Sequence, residues 1–338
     1  MKTIFAVDDS DTNLSLTKKA LEEHYRILTM PSAVKMFTLL EKITPDLILL
    51  DIEMTELNGV EAFSRLKASN IFGKIPVIFL TGRNDTAIEA KCFELGAVDF
   101  ITKPFSVPVL LHRIKTYLNI DEIIHERTAQ LQRLQTGIVS VLADIVESRD
   151  IATDGHIERT TAYIRILLDA MKERGVYADE IQRWDIETVI LSARLHDMGK
   201  IVVSDVVLNK PDKLTGEEYE TIRTHADEGV RIIDKMVEQT GEADFLQNAK
   251  LFAGYHHEYW DGSGYPHRLK GTDIPLQGRI MAIVDTYDAL ISRRSYKEAF
   301  STEEAERIIM ENAGTQFDPA IARVFFAVKE QFKIAAES

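Results

Sequence analysis

The sequence predicts a two-domain chain, an N-terminal α/β unit built on a doubly wound, five-stranded parallel sheet followed by an all-α unit. Three observations predict it. Through residue 120, short runs that are apolar throughout alternate with segments of helical period, the pattern of strands covered on both faces. Beyond residue 147 no strand-period segment stands out, whereas long amphipathic stretches recur. Charge and histidine are also partitioned: residues 1–120 carry 14 basic and 15 acidic side chains and the remainder 26 and 39, and six of the nine histidines follow residue 147. With 338 residues, 45% of them hydrophobic, each half has enough apolar mass for its own core, at about 100–200 residues per domain.

In chain order the first unit reads as a strand at Ile4-Phe5-Ala6-Val7, a helix near 12–23, a strand at Leu47-Ile48-Leu49-Leu50, a helix near 59–68, a strand at Val77-Ile78-Phe79-Leu80, a helix near 85–95 and a strand at Asp99-Phe100-Ile101. In such sheets ligands sit at the carboxyl ends of the strands. The polar residues at those ends are Asp8 and Asp9, Asp51, Thr81 and Lys103. Three converging carboxylates repel one another unless a divalent cation neutralises them, and all-oxygen ligation suits Mg²⁺. Lys103 would balance an added phosphoryl group.

This constellation resembles the receiver domain of two-component response regulators, a flavodoxin-like fold, over residues 1–120. The resemblance implies that Asp8, Asp9 and Asp51 bind Mg²⁺ and that Asp51 accepts a phosphoryl group from a cognate histidine kinase. It also makes Thr81 the switch hydroxyl, Phe100 the switch aromatic and Lys103, followed by Pro104, the phosphate-binding lysine. Thr55 stands where the family usually has proline. Cys92, in a helix end closed by Gly96, reads as packing.

A helix starting near 107 continues without a further Gly or Pro to Gly137. Ile124, Leu131, Ile138 and Ile145 stand seven apart, with Leu134 and Val141 three residues after two of them and Arg127 interrupting the series. This heptad makes residues 121–146 a helical connector suited to a parallel homodimer; the alternative is a stripe packed on the chain's own domains.

From 147 to 338, helical stretches are expected near 156–174, 185–199, 216–238, 243–259, 277–292, 302–313 and 319–334. Set among them, His196 and Asp197 adjoin at the end of the apolar stretch Val189-Ile190-Leu191. Burying such a pair costs several kcal/mol unless hydrogen bonds or a metal compensate. His225, His256, His257 and Asp285 are further candidates. Mixed imidazole and carboxylate donors favour Fe, Mn, Zn or Ni, and a carboxylate such as Asp197 can bridge two ions. Two ions about 3.5–4 Å apart can activate water and stabilise the charge of a phosphoryl displacement.

With the run His256-His257-Glu258-Tyr259-Trp260-Asp261-Gly262-Ser263-Gly264-Tyr265-Pro266, these residues resemble the HD superfamily of metal-dependent phosphohydrolases and, within it, the HD-GYP cyclic-di-GMP phosphodiesterases. The resemblance implies metal ligands at His196, Asp197, His225, His256, His257 and Asp285, with His156 at the edge of the cluster. Some relatives hold a third ion through a Glu four residues before that His; here the position is Ala152, so two metals, Fe or Mn, are expected, with a weak third site at His156 left open. His196, Asp197 and Lys200 are expected to be catalytic. Substrate contacts are implied for Lys200, Tyr265, Arg294 and Lys297, with Tyr265 either touching a guanine or bracing its loop.

The resulting expectation is a response regulator in which phosphorylation of Asp51 controls hydrolysis of cyclic di-GMP to pGpG, GMP or both. The alternatives are a phosphohydrolase for another cyclic dinucleotide and a non-hydrolysing receptor that docks a protein partner through the GYP face. A net charge of −14 argues against a DNA or membrane surface, because those partners are held by Lys and Arg. One cysteine forms no internal disulfide, Lys2 leads straight into a strand-like run, and no apolar run approaches about 18–20 residues, so the expected location is the cytoplasm.

Overall fold

The computed structural model describes residues 1–69, 71–82, 90, 92–149, 155–292 and 299–336, and the chain divides into two units, Met1–Leu131 and Gln132–Ser338. The first runs β1 (Thr3–Val7), α1 (Asp11–Leu21), β2 (Arg26–Met30), α2 (Ala33–Leu40), β3 (Leu47–Asp51), α3 (Gly59–Lys67), β4 (Val77–Thr81) and β5 (Asp99–Thr102). All five strands are parallel, in the order β2-β1-β3-β4-β5. Successive side chains of a strand point to opposite faces, and β1 shows the result: Phe5 and Val7 enter one apolar layer, Ile4 and Ala6 the other. Helices cover both layers, so β3 and β4 are buried along their whole length. Cys92 lies within the layer that contains Phe63 and Phe79.

The sequence reading missed β2 and α2. β2 lies at the sheet edge, and Arg26-Ile27-Leu28-Thr29-Met30 mixes polar with apolar positions instead of forming an apolar run. The helix expected at 85–95 falls largely outside the described residues. The register pairs Val7 with Leu50, Asp51 with Leu80 and Thr81 with Thr102, which brings the candidate polar residues to one edge of the sheet.

A single helix, α4, runs from Val107 to Glu147, passing Gly137 without a break. Its last turns carry two apolar stripes. Val139 and Val146 pack with Leu195, Met198, Ile233, Phe245 and Leu246 in the second unit. The heptad residues do not: Ile124, Leu131, Leu134, Ile138, Val141 and Ile145 are all exposed.

The second unit continues with α5 (His156–Glu173), α6 (Ala178–Ile181), α7 (Ile186–Ala193), a 3₁₀ turn (Met198–Val202), α8 (Asp205–Leu208), α9 (Gly216–Arg223), α10 (His225–Thr240), α11 (Asp244–Tyr255), α12 (Leu276–Ile291), α13 (Thr302–Glu311) and α14 (Pro319–Ala336). Its core is an aromatic cluster in which Tyr163 stacks on Phe332 at 4.7 Å while Tyr287 and Phe325 meet them edge-on. The stretch expected at 185–199 is shorter than read, with α7 ending at Ala193 and the His196-Asp197 pair on a turn. The stretch 216–238 is two helices that meet at Thr224, so His225 opens α10. Among the described residues, no helix is long and apolar enough to cross a membrane.

Candidate metal centre

In the first unit, Asp8, Asp9 and Asp51 each direct a carboxylate oxygen into one group within 4.8 Å. Lys103 lies among them, its Nζ 2.5 Å from Asp8 Oδ2 and 2.8 Å from Asp51 Oδ1. Burial raises the Asp51 carboxyl above its ordinary range, an effect that the charges of Asp8 and Asp9 add to and Lys103 opposes. Asp8 is oriented by the Ser10 N–H and the Asn13 side-chain amide, and Asp9 by the Thr55 N–H at 3.1 Å. Proline at position 55 has no such N–H to give. Thr81 is buried at the end of β4, and Phe100 stands on β5 edge-on to Phe93.

In the second unit the histidines form two groups. His156, His196 and Asp285 make one; His225, His256 and His257 make the other. Asp197 stands between them: Oδ2 is 3.4 Å from His196 Nε2, and Oδ1 is 3.5 Å from His225 Nε2 and 3.8 Å from His256 Nε2. Lys200 Nζ lies 2.8 Å from the same carboxylate. Burial opposes the ionised form of Asp197, but Lys200 and the surrounding histidines outweigh it and hold the carboxyl well below its usual range.

The ring protons fix what these groups can bind. His225 Nδ1 donates to the Ile222 carbonyl at 2.7 Å and His256 Nδ1 to that of Phe252 at 2.9 Å, because a carbonyl can only accept. Their Nε2 atoms therefore face each other as lone pairs, 3.2 Å apart. Burial lowers the affinity of both rings for a second proton, holding His256 at about 3, so a shared proton does not relieve the repulsion. A cation does: two imidazole nitrogens about 2.0–2.1 Å from one tetrahedral ion stand roughly 3.3 Å apart. His196 Nδ1 likewise donates to the Ala193 carbonyl, leaving its Nε2 3.3 Å from His156 Nε2. His156 differs because its Nδ1 meets the Asp288 carboxylate at 2.8 Å. Burial works against its protonation, but the bond to Asp288 and the charges of Asp285 and Asp197 raise its pKa overall. A carboxylate behind an imidazole is the usual support for a metal-binding ring. The donor set thus fits first-row transition ions in two adjoining positions.

Three acidic residues that the sequence reading passed over build this site. Asp288, three residues after Asp285 on α12, is held by Arg159 through bonds of 2.6 and 3.0 Å while it orients His156. Glu147 accepts the His156 backbone N–H at 2.7 Å and so caps the start of α5, where Gly155 has no side chain to do it. Glu258, fully buried, accepts the N–H groups of His267, Arg268 and Leu269 at 2.6, 3.1 and 2.9 Å, tying down the loop after Tyr265. The first signal was visible as an i, i+3 acid pair; the other two become visible only in three dimensions.

Tyr265 stacks on His257 with ring centroids 4.7 Å apart, and the Arg223 guanidinium lies 4.3 Å from its centroid. These contacts brace the Tyr265 ring. Gly264 has no room for a side chain, since a Cβ there would lie 2.3 Å from the Tyr259 nitrogen. Arg294, Lys297 and Ala152 lie outside the described residues. Asp318, in the Phe317-Asp318-Pro319 segment, is buried against Arg279 and Tyr177, and Lys210 pairs with Glu218, so both act within the fold.

A family model described as "HD domain" matches residues 140–321, and one described as "Response regulator receiver domain" matches residues 4–115. A "Probable cyclic di-GMP phosphodiesterase" of Vibrio cholerae is 40% identical over 98% of this chain and 78% of its own length. The "Cyclic di-GMP phosphodiesterase response regulator RpfG" of Xanthomonas campestris is 34% identical over 81% of this chain and 73% of its own. A "3'3'-cGAMP-specific phosphodiesterase 2", also of Vibrio cholerae, is 33% identical over 64% of this chain and 38% of its own.

Proposed function

The chain belongs to the HD-domain family, here joined to a response regulator receiver domain, and from that premise we propose a cytoplasmic response regulator in which phosphorylation of Asp51 controls hydrolysis of cyclic di-GMP. The observation that carries the catalytic half is the pair of histidine groups joined by Asp197, with neutral nitrogens turned toward each other and Lys200 on the shared carboxylate. The similarity to the two cyclic di-GMP phosphodiesterases supports the substrate.

His156, His196 and Asp285 would hold one divalent ion, His225, His256 and His257 a second, with Asp197 common to both and iron or manganese fitting the donors. Ions in these positions supply Lewis acidity and an activated water for attack on phosphorus. The protein does the rest. The backbone carbonyls behind His196, His225 and His256 keep their Nδ1 atoms protonated and their Nε2 atoms inward. The Lys200 ammonium, a point charge on a flexible stem, can turn from Asp197 to a phosphate oxygen as charge builds there. Arg294 and Lys297 are proposed to hold the second phosphate. Tyr265, fixed by His257 and Arg223, keeps the loop beside the site in one place. Cleavage of one P–O bond gives linear pGpG, and a second cleavage gives GMP.

In the first unit, Mg²⁺ held by Asp8, Asp9 and Asp51 would prepare Asp51 for phosphoryl transfer from a histidine kinase, after which Lys103 pairs with the phosphoryl group and Thr81 and Phe100 report it. The exposed heptad on α4 is proposed to pair with the same helix of a second copy. Gln130 and Gln135, at the positions flanking the seam, bring no like charges together in a parallel pair.

The experiment is anaerobic reconstitution with Fe²⁺ or Mn²⁺ and chromatography of the products, with and without a small-molecule phosphodonor. Wild type is expected to release pGpG or GMP, and Asp51→Asn to keep the basal rate while losing the response to the donor. His196→Ala and Asp197→Ala are expected to lose bound metal and hydrolysis together; wild-type turnover in either refutes the mechanism. The similarity to a 3'3'-cGAMP-specific phosphodiesterase favours a second reading, in which that dinucleotide is the better substrate. Comparing kcat/KM for the two separates the readings.

A further inference from the structure

Lys200 is not held in place by its own helix, because the segment that carries it is a single 3₁₀ turn, Met198–Val202. Such a turn closes few internal bonds, so the carbonyls toward its end depend largely on groups outside it. At the ends of the turn the Lys200 N–H donates to the Asp197 carbonyl at 2.9 Å and the Val203 N–H to the Lys200 carbonyl at 3.1 Å. One side of the turn is fixed by close approach, since a Cβ on Gly199 would lie 1.8 Å from the His225 carbonyl oxygen. The other side is fixed by Arg149, two residues past the end of α4.

The Arg149 guanidinium places one donor after another on this turn. Nη1 donates to the carbonyls of Lys200 at 3.1 Å and Ile201 at 2.6 Å, and Nη2 donates to that of Val203 at 2.8 Å. Nε and Nη2 both reach Asp205 Oδ1, at 3.1 and 2.6 Å. All five N–H bonds of the planar group are thereby engaged. The Arg149 carbonyl in turn accepts the Asn209 side-chain amide at 2.8 Å, which closes the ring of contacts. A lysine ammonium has three donors on one atom and cannot span these acceptors.

We infer that Arg149 is a positioning residue for Lys200, fixing through the carbonyls of the 3₁₀ turn where the ammonium stands relative to Asp197. The catalytic consequence rests on the phosphohydrolase reading above; the structural one does not. Misplacing a catalytic group by about 1 Å can cost on the order of a hundredfold in rate. Arg149→Ala is therefore expected to lower kcat at least about tenfold with KM changed much less.

The test combines a double-mutant cycle with amide hydrogen exchange on the full-length protein. If Arg149 acts through Lys200, the Arg149→Ala/Lys200→Ala double variant turns over no more slowly than Lys200→Ala alone, and Arg149→Lys fails to restore the rate. The Lys200 and Val203 amides exchange faster in both Arg149 variants, while those of α12 stay protected. Additive losses in the cycle, or full rescue by Arg149→Lys, overturn the inference. Should Arg149→Ala unfold, Arg149→Lys carries the exchange measurement. Should wild type with bound metal hydrolyse no cyclic dinucleotide, the phosphohydrolase reading falls while exchange still decides the positioning claim: unchanged protection at Lys200 and Val203 overturns it.

Discussion

Single side chains in the histidine cluster differ in what stands behind them, and that difference sets their response to pH. Burial keeps His225, His256 and His257 from taking up a proton, His256 down to about 3, whereas Asp288 and its neighbours, working against burial, raise His156. In an unfolded chain each would titrate near 6.5. Below that pH the unfolded chain binds protons that the first three refuse when folded, so their contribution to stability is full above pH 6.5 and is lost as pH falls through their lowered values, for His256 about 3. Each adds a slope of about 1.4 kcal/mol per pH unit while it is protonated only in the unfolded chain. His156 acts in the opposite sense: its raised value stabilises the folded form fully below about pH 6.5, and that contribution is lost only as pH rises through its folded value, so it leaves the low-pH loss of the other three in place. Calorimetry on chelator-treated protein is expected to show Tm falling between pH 7 and pH 5.5; a flat or rising Tm would contradict the burial of these rings as neutral groups. The histidines were legible in the sequence because few residue types ligate transition ions. Asp288 was not read as part of the site, since its role is defined by a histidine 132 residues away.

At the level of elements, the sequence pattern located long helices better than the points where they stop. Thr224 separates α9 from α10, and the chain leaves α7 at Ala193, although the apolar period runs through both places. Those breaks are what place His225 at a helix start and His196-Asp197 on a turn, so their side chains converge instead of following one helical face. The GYP loop shows the same principle without any regular structure. Its shape depends on one carboxylate, Glu258, that satisfies three backbone N–H groups in a buried setting. Glu258→Gln replaces one acceptor oxygen with a donor and leaves at least one of those groups unpaired, at a cost of about 1–3 kcal/mol. Thermal unfolding should register that loss, and faster exchange at the His267, Arg268 and Leu269 amides should locate it. A variant as stable as wild type would show that the loop is held by other means. In the first unit, β3 and β4 were plain in the sequence because both their faces are buried, and β2 was not because an edge strand needs no continuous apolar run.

For the whole molecule, α4 matters most, because its heptad residues are exposed while a neighbouring stripe supplies Val139 and Val146 to the core of the second unit. Leu134 and Ile138 are 59% and 52% exposed, so replacing both with Glu leaves that core untouched while placing four like charges along the seam of a parallel pair. Sedimentation is expected to show wild type as a dimer and the Leu134→Glu/Ile138→Glu variant as a folded monomer. A variant that sediments with wild type would exclude this face as the contact.

The unbroken course of α4 also constrains how such proteins can exchange parts. The division between the units falls inside this helix, after Leu131. Each residue added to or removed from an α-helix turns everything beyond it by about 100°, whereas seven residues return it to within about 20°. If α4 pairs as proposed, a different N-terminal unit grafted onto it would present its seam in line with Leu134, Ile138 and Val141 only when the junction preserves the heptad count. Under that pairing, recombination at this helix would be quantised, with the period of the coil, not the length of the linker, deciding which chimaeras keep the seam continuous.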